Sequence, residues 1–362
     1  MTDQTLPRRG SYSLRIERVP SPLSVRIAIP FIAVLLAFLI TGLIMVIAGI
    51  NPLDAFYCLL LDPLKTRNSA FDVLVRATPI LLTGLAVMLA FSSGYFNIGA
   101  EGQFLAGAIV TAGLGVSLAG SSPWIAIPII VIAGFLAGAL WALLPALLKV
   151  YFKVDEVVTT LLLNSVMTLG LSGLLTGPWR SPDGWPRTPM IEEAIRLPRL
   201  FPPSRLRAGF VIGLVLMVVL WFVLQRTSFG VKLRAVGLGA NAARFMGIPV
   251  ARTMLIAALV SGGIAGIGGV AEILGVQGRL IAESSAGYGY TGVIVAMLGG
   301  LTAPGVLLAA VFIALIETGS LALGQTMGVP VYLGDVAQAT VLLTMLACLL
   351  LINYRIRIVK AS

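Results

Sequence analysis

Residues 27–50 carry no charged side chain, and Thr41 is the only hydrogen-bonding one among them. Crossing the hydrocarbon core of a bilayer takes about 20 mainly apolar helical residues, so this run is long enough to do so. Comparable runs recur along the whole chain. Lipid offers no partner to backbone N–H and C=O groups, which leaves only helices and closed barrels as spanning structures. The runs are long and continuous, without the short alternating strands of a barrel, so the pattern predicts an all-α fold. Composition agrees: 58% of the 362 residues are hydrophobic and 11% are charged, where a soluble domain needs about 25% charged residues to face water.

The periodicity and punctuation predict a polytopic membrane protein with about ten transmembrane helices. They are placed near 27–50, 72–92, 103–120, 124–148, 155–176, 209–225, 253–274, 287–302, 304–323 and 335–353. Residues 1–26 read as a basic cytoplasmic tail, 27–353 as the transmembrane domain and 354–362 as a second cytoplasmic tail. Positive residues favour the cytoplasmic side. Lys149 and Lys153, the C-terminal Arg355, Arg357 and Lys360, and the loop 227–252, which has no acidic residue, all fit that orientation. One segment dissents: 177–208, expected outside, carries six arginines against Asp183, Glu192 and Glu193.

Several chemistries are excluded. There is no histidine, hence no imidazole base, proton relay or His metal site. Cys58 and Cys348 lie far apart in apolar surroundings and are expected to be unpaired. No catalytic or metal-binding constellation emerges. The phosphate-loop pattern G-x-x-x-x-G-K-[ST] is absent, so nucleotide-driven work belongs to another chain. The net charge of +10 lies outside the apolar runs, which points to membrane lipid headgroups and away from nucleic acid.

Four segments stand out. In GYFNIGAEGQ (94–103), Asn97, Glu101 and Gln103 sit among glycines between membrane-length helices. This is either a polar turn at the membrane surface or a broken helix near a pathway, where a carboxylate is tolerated because it faces a cavity or a partner. GYGYTG at 287–292, with Tyr288, is a second Gly-interrupted segment in the other half, and the pair suggests two structural repeats. In VDEVVTTLLLN (154–164), Asp155 suits a helix N-cap, while Asn164 either glues helices together or lines a pathway. The fourth is the loop 227–252, where a short Ala-rich helix over Asn241–Met246 lies between Gly239 and Gly247. It either touches lipid phosphates or inserts into a groove on a soluble partner. Outside these segments, SGGIAGIGG at 261–269 reads as close helix packing, and Glu272 and Glu317 are expected to face protein or water.

Taken together, FNIGAEGQ at 96–103, DEVVTTLLLN at 155–164, GVKLRAVGLGANAARFMGI at 230–248 and GYGYTGVIVAMLGG at 287–300 resemble the permeases of bacterial ABC importers for nucleosides and simple sugars, in particular the longer nucleoside-type permease. The matches run in order over about residues 70–305. The resemblance implies the ABC importer permease fold in the bacterial inner membrane, with both termini cytoplasmic. It also implies an ATP-binding subunit carrying ATP and Mg, a second permease that is related or identical, and an extracytoplasmic solute-binding protein. On this reading the chain itself binds no cofactor. Gly239, Asn241, Ala242, Ala243 and Gly247 fall in the segment that couples to the ATPase. Gly239-Ala240-Asn241 stands where the family often has Asn-Pro. Asn97, Glu101, Gln103, Asn164 and Tyr288 are the candidates for the solute pathway. The competing reading is a secondary transporter or channel driven by an ion gradient, with Glu101 or Glu317 as the ion site.

Overall fold

The computed structural model describes residues 12–18, 23–47, 49–181, 183–327 and 354–360, with scattered positions between 332 and 347. The chain divides into two compact units, Met1–Ala55 with Pro330–Ser362, and Phe56–Val329.

In the first unit, α1 (Leu23–Ile47) is the expected first helix. Two tail strands, β1 (Tyr12–Arg18) and β2 (Tyr354–Lys360), pair antiparallel with Tyr12 opposite Lys360. Both tails were expected only as basic extensions. Their sequences YSLRIER and YRIRIVK alternate apolar and polar residues, the two-residue period that a strand pair uses. The expected span 335–353 lies largely outside the described residues.

After α2 (Pro52–Leu60), the second unit contains α3 (Arg67–Ser92), α4 (Ala100–Ser117), α5 (Pro123–Phe152) and α6 (Glu156–Thr176). There follow α7 (Gly209–Arg226), α8 (Ser228–Leu238), α9 (Ala240–Phe245), α10 (Val250–Glu272) continued by a π-turn at Ile273–Gln277, α11 (Tyr288–Leu298) and α12 (Ala303–Met327). Among the described residues six helices are long and apolar enough to cross a membrane: α3, α5, α6, α7, α10 with its π-turn, and α12. The expected span at 103–120 corresponds to α4, equal to it in length at 18 residues but more polar at its start, and the one at 287–302 to the shorter α11. Glu101 and Gln103 occupy the first turns of α4, and α11 has 11 residues.

Burial separates centre from rim. On α3, every residue from Ala77 to Ala90 is buried, and on α10 every residue from Ser261 to Glu272. By contrast α5 buries Ala126, Ile130, Gly134, Gly138 and Ala142, one residue per turn, and leaves Leu136, Leu140 and Leu144 exposed. The same holds for α6 with Leu162, Val166 and Leu169, and for α7 with Val215, Val218 and Phe222. Apolar surface of this extent is unstable against water and matches lipid.

Small residues let the central helices touch backbone to backbone. An ideal Cβ at Gly266 of α10 would lie 2.3 Å from the Gly134 carbonyl oxygen of α5. One at Gly107 of α4 would lie 2.2 Å from the Gly266 carbonyl oxygen, and one at Gly138 2.2 Å from that of Gly262. The run SGGIAGIGG is therefore a packing seam shared by three helices, as its composition suggested.

Candidate functional site

The 94–103 segment begins where α3 ends. Gly94 has φ +75°, and a Cβ there would sit 3.3 Å from the Gly237 Cα of α8. The chain then enters the core, where Asn97 is fully buried. Its Nδ2 donates to Gln103 Oε1 at 2.8 Å and to Ser261 Oγ at 2.9 Å. Its Oδ1 accepts from Gln103 Nε2 and from the Gly99 N–H, both at 3.0 Å. Ser261 passes its own proton to the Ala86 carbonyl at 2.7 Å, so the amide pair ties α3, α4 and α10 together. Asn164 does the same for α6: Oδ1 accepts from the Gly102 N–H and Nδ2 donates to the Ile98 carbonyl, both at 2.9 Å. Asp155 caps α6 by accepting from the Val157 and Val158 N–H groups, as expected. Glu156 beside it pairs with Lys149 at 2.5 Å.

The two Gly-interrupted motifs meet. Glu101 Oε2 accepts the Gly289 N–H at 2.7 Å and Oε1 accepts Ser285 Oγ at 2.5 Å, so a carboxylate in the first turn of α4 satisfies a donor at the start of α11. Gly289 is required because a Cβ there would be 2.1 Å from the Glu101 backbone nitrogen. Thr83 Oγ1, on α3, donates to the Tyr288 carbonyl at 2.8 Å. The N-terminus of α11 is thus fixed against the middle of α3 and the beginning of α4.

Next to this junction lies a cavity of about 570 Å³, lined by polar groups from several elements, among them Asp72, Arg76, Glu272, Gln277, Tyr288 and Thr318. Glu272 is 3% exposed and its Oε1 accepts from Gln277 Nε2 at 3.0 Å. Gln277 is held in turn by Ser284, which donates to Oε1 at 2.7 Å and accepts from Nε2 through its carbonyl at 3.1 Å. Arg76 is half-buried, and among the described residues it has no ion-pair partner within 4.0 Å. Phe104 packs against the Tyr288 ring with centroids 5.7 Å apart.

The Arg-rich segment 177–208 is strapped onto the chain that follows α10. Backbone N–H groups of Thr188, Ile191 and Leu197 donate to the carbonyls of Leu280, Gly278 and Leu274. Glu193 gathers Arg207 at 2.7 Å, Arg196 at 3.0 Å and Arg199 at 3.3 Å. The Arg207 hydrogen bond, with the charges of all three arginines, holds the Glu193 carboxyl below its usual range. Asp183, paired with Arg187, is likewise lowered to about 2.

The other end of α3 and α7 carries α8 and α9. The expected short helix is present as α9, preceded by Gly239 and followed by Gly247, which has φ +77°. Ala243 is buried against Val236 and Val250. Asn241 and Ala242 are exposed, and so are three large apolar side chains that the composition did not single out, Leu238 at 92%, Phe245 at 95% and Met246.

Of the five pathway candidates, Tyr288 lines the cavity. Asn97, Gln103 and Asn164 are in the packed interior, their amides hydrogen-bonded to protein, and Glu101 lies behind Tyr288 through Gly289. Asp72, Arg76 and Gln277 were missed as cavity residues. The available signal was Arg76, which lies inside the expected span 72–92, so the reading that the positive charge sits outside the apolar runs fails at this residue. Cys58 is free and buried, while Cys348 lies outside the described residues. Among the described residues no group of three or more Cys, Asp or Glu side chains converges to hold a metal.

The family model described as branched-chain amino acid transport system / permease component matches residues 69–352. The chain is 35% identical to the glucose ABC transporter permease protein of Haloferax volcanii, covering 91% of this chain and 89% of that one. It is 33% identical to the guanosine ABC transporter permease protein of Bacillus subtilis, covering 87% and 91%. With the nucleoside ABC transporter permease protein of Lactococcus lactis the identity is 29%, covering 82% and 84%.

Proposed function

The chain belongs to the branched-chain amino acid transport system / permease component family, and from that premise we propose how its two ends share the work. It is a multi-pass membrane protein, the permease subunit of an ABC importer that carries nucleosides or sugars. It is a transport component, and ATP with Mg is used on a separate ATP-binding subunit. A second permease, related or identical, completes the pathway, and an extracytoplasmic binding protein delivers solute.

Within the chain, α9 and its flanking glycines form the surface that receives mechanical work. The observation that carries this reading is the exposure of Leu238, just before α9, and of Phe245, its last residue, at the end of the bundle away from the cavity. Asp72 lines the cavity, and Ser92 at the far end of α3 abuts Gly237 of α8. Those two positions are about 30 Å apart at 1.5 Å per helical residue. Large apolar side chains beyond a bundle end need cover from water, and a groove on the ATPase supplies it. Gly239, Asn241, Ala242, Ala243 and Gly247 belong to this surface, with Ala243 anchoring α9 from beneath. The basic loop 227–252 then faces the cytoplasm with both termini, and the 177–208 strap faces outward. About ten spans, counting α1, α4, α11 and a helix near 335–353, fit that orientation. The tails and the 27–353 membrane domain keep the boundaries read from the sequence.

The test is uptake of labelled nucleosides and sugars into proteoliposomes holding the assembled transporter and its binding protein. Uptake is expected to require ATP. Phe245→Ala is expected to cut it at least tenfold while leaving the thermal unfolding temperature unchanged, and Gly247→Val, which strains a positive φ, to uncouple hydrolysis from uptake. Uptake that survives without ATP but collapses with the ion gradient would replace this reading with a secondary transporter.

A further inference from the structure

At the α9 end of the bundle a second cavity, of about 520 Å³, lies between the last turn of α5, α9 and the first turns of α10. Tyr151 lines it from α5, Arg244 from α9 and Arg252 from α10, and the lining holds no acidic side chain. Among the described residues neither guanidinium has a carboxylate within 4.0 Å. The acids nearest to Tyr151 in sequence are already spent, Asp155 on capping α6 and Glu156 on Lys149. The start of α10 adds further donors. Pro249 gives no side-chain cap, and the N–H groups of Val250, Ala251 and Arg252 find no acceptor among the described residues. All three residues line the cavity, so unspent backbone donors and the positive end of a 23-residue helix sit beside the two arginines. The remaining wall is apolar, with Ile248 and Leu255. Tyr151 and Phe152 are exposed at the end of α5, and aromatic residues at the end of a spanning helix sit at headgroup level.

We propose that this cavity binds the phosphate headgroup of an anionic phospholipid, whose acyl chains lie along the exposed apolar face of α5. A guanidinium fork matches two phosphate oxygens, and an uncapped helix N-terminus supplies N–H donors to the same group. Basic pockets between spanning helices suit lipid headgroups. The lining also selects among phosphates. A zwitterionic lipid would bring an ammonium beside two guanidiniums with no carboxylate to receive it. A free phosphate ion would satisfy the cationic end and leave Ile248 and Leu255 uncovered, whereas a lipid answers both. Arg244 and Phe245 are neighbours on α9, so the helix that meets the ATPase would be held to the membrane by a lipid on its other side. The proposal takes from the reading above only that this end of the bundle lies at a membrane surface. Lipid binding needs neither ATP nor solute.

The probe is dioctanoyl phosphatidylglycerol, titrated into the delipidated full-length chain in neutral detergent and followed by native mass spectrometry. Its Kd is expected to be at least tenfold below that of dioctanoyl phosphatidylethanolamine, and an equal concentration of inorganic phosphate should not displace it. Arg244→Gln with Arg252→Gln is expected to weaken phosphatidylglycerol binding to the phosphatidylethanolamine level, with the lipid-free unfolding temperature unchanged. Arg226→Gln with Lys232→Gln removes as many charges from the same basic stretch and should leave the Kd within twofold. Ala251→Glu is the second variant should the arginine pair not fold: an acid in the first turn favours the helix and repels the phosphate, so tenfold weaker binding is expected. Equal binding of the two lipids overturns the anionic headgroup, and displacement by inorganic phosphate overturns the lipid. Equal losses in the Arg226 and Lys232 pair would mean a diffuse basic surface and no site. Unchanged lipid binding in the Arg244 and Arg252 pair, with the ATPase no longer copurifying, would assign the arginines to the ATPase instead. Failure of any of these leaves ATP-driven uptake, measured separately, as the test of the transport reading.

Discussion

Two seams hold the centre of the bundle, and they solve the same problem in opposite ways. Along α4, α5 and α10 the helices meet backbone to backbone through Gly107, Gly138 and Gly266, with Val270 against Gly134 and the small Ala142 against Gly262. A few ångströms away, α3, α4, α6 and α11 meet through polar side chains, Asn97, Glu101, Gln103 and Asn164, whose hydrogen bonds close on the protein. Water cannot compensate an unpaired group at this depth, so the polar seam works only when complete. The glycine seam works only while it stays empty. Polar residues in membrane helices can therefore be mortar, and their presence alone does not mark a pathway.

The comparison is broken most severely from the glycine side. Gly266→Leu forces a side chain into the Gly134 carbonyl and is expected to cost more than about 4 kcal/mol. The protein should fail to accumulate in the membrane, as read by immunoblot and by thermal unfolding in detergent. On the polar side, Glu101→Ala strands the Gly289 N–H and the Ser285 hydroxyl, for an expected loss of about 3 kcal/mol, and Glu101→Gln should recover part of it. Asn164→Ala, which unpairs the Gly102 N–H and the Ile98 carbonyl, should cost about 2 kcal/mol. Ser261→Ala removes one bridge from Asn97 to the Ala86 carbonyl and should cost about 1 kcal/mol. If Asn164→Ala unfolds at the wild-type temperature, the polar seam is dispensable and the contrast fails.

The smallest effect concerns the outer strap, where the polar contacts are wet. Glu193 has its carboxyl lowered by Arg207, so its contribution is complete above the ordinary glutamate value near pH 4.3 and fades as pH falls through the lowered value. The side chain is more than half exposed, and exposed ion pairs contribute little. Amide exchange in 177–208 should therefore be flat from pH 8 to 5 after correction for intrinsic rates. It should rise only below pH 4, without global unfolding.

Much of this arrangement was legible before any coordinates. Spanning length, the Asp155 cap, the Gly-bounded helix α9 and the packing role of 261–269 all follow from local patterns, and local patterns survive folding. Other features depend on residues far apart in sequence. Glu101 and Gly289 are 188 positions apart, and nothing in either motif announces the other. The cavity draws Arg76, Glu272 and Tyr288 from three helices, so each reads alone as an isolated polar residue. The arginines of 177–208 looked like evidence about topology. Three of them are spent on Glu193, a local folding contact that the charge rule does not anticipate.

One consequence is mechanical. α3 is clasped near its middle, where Thr83 holds the Tyr288 carbonyl and a Cβ on Gly84 would strike Val295 and Val306. Asp72 stands about 16 Å to one side of that clasp and Ser92 about 14 Å to the other, at 1.5 Å per residue. The clasp divides α3 into nearly equal arms, so a rigid tilt of about 5° about it would swing the two ends roughly 1.4 and 1.2 Å in opposite directions.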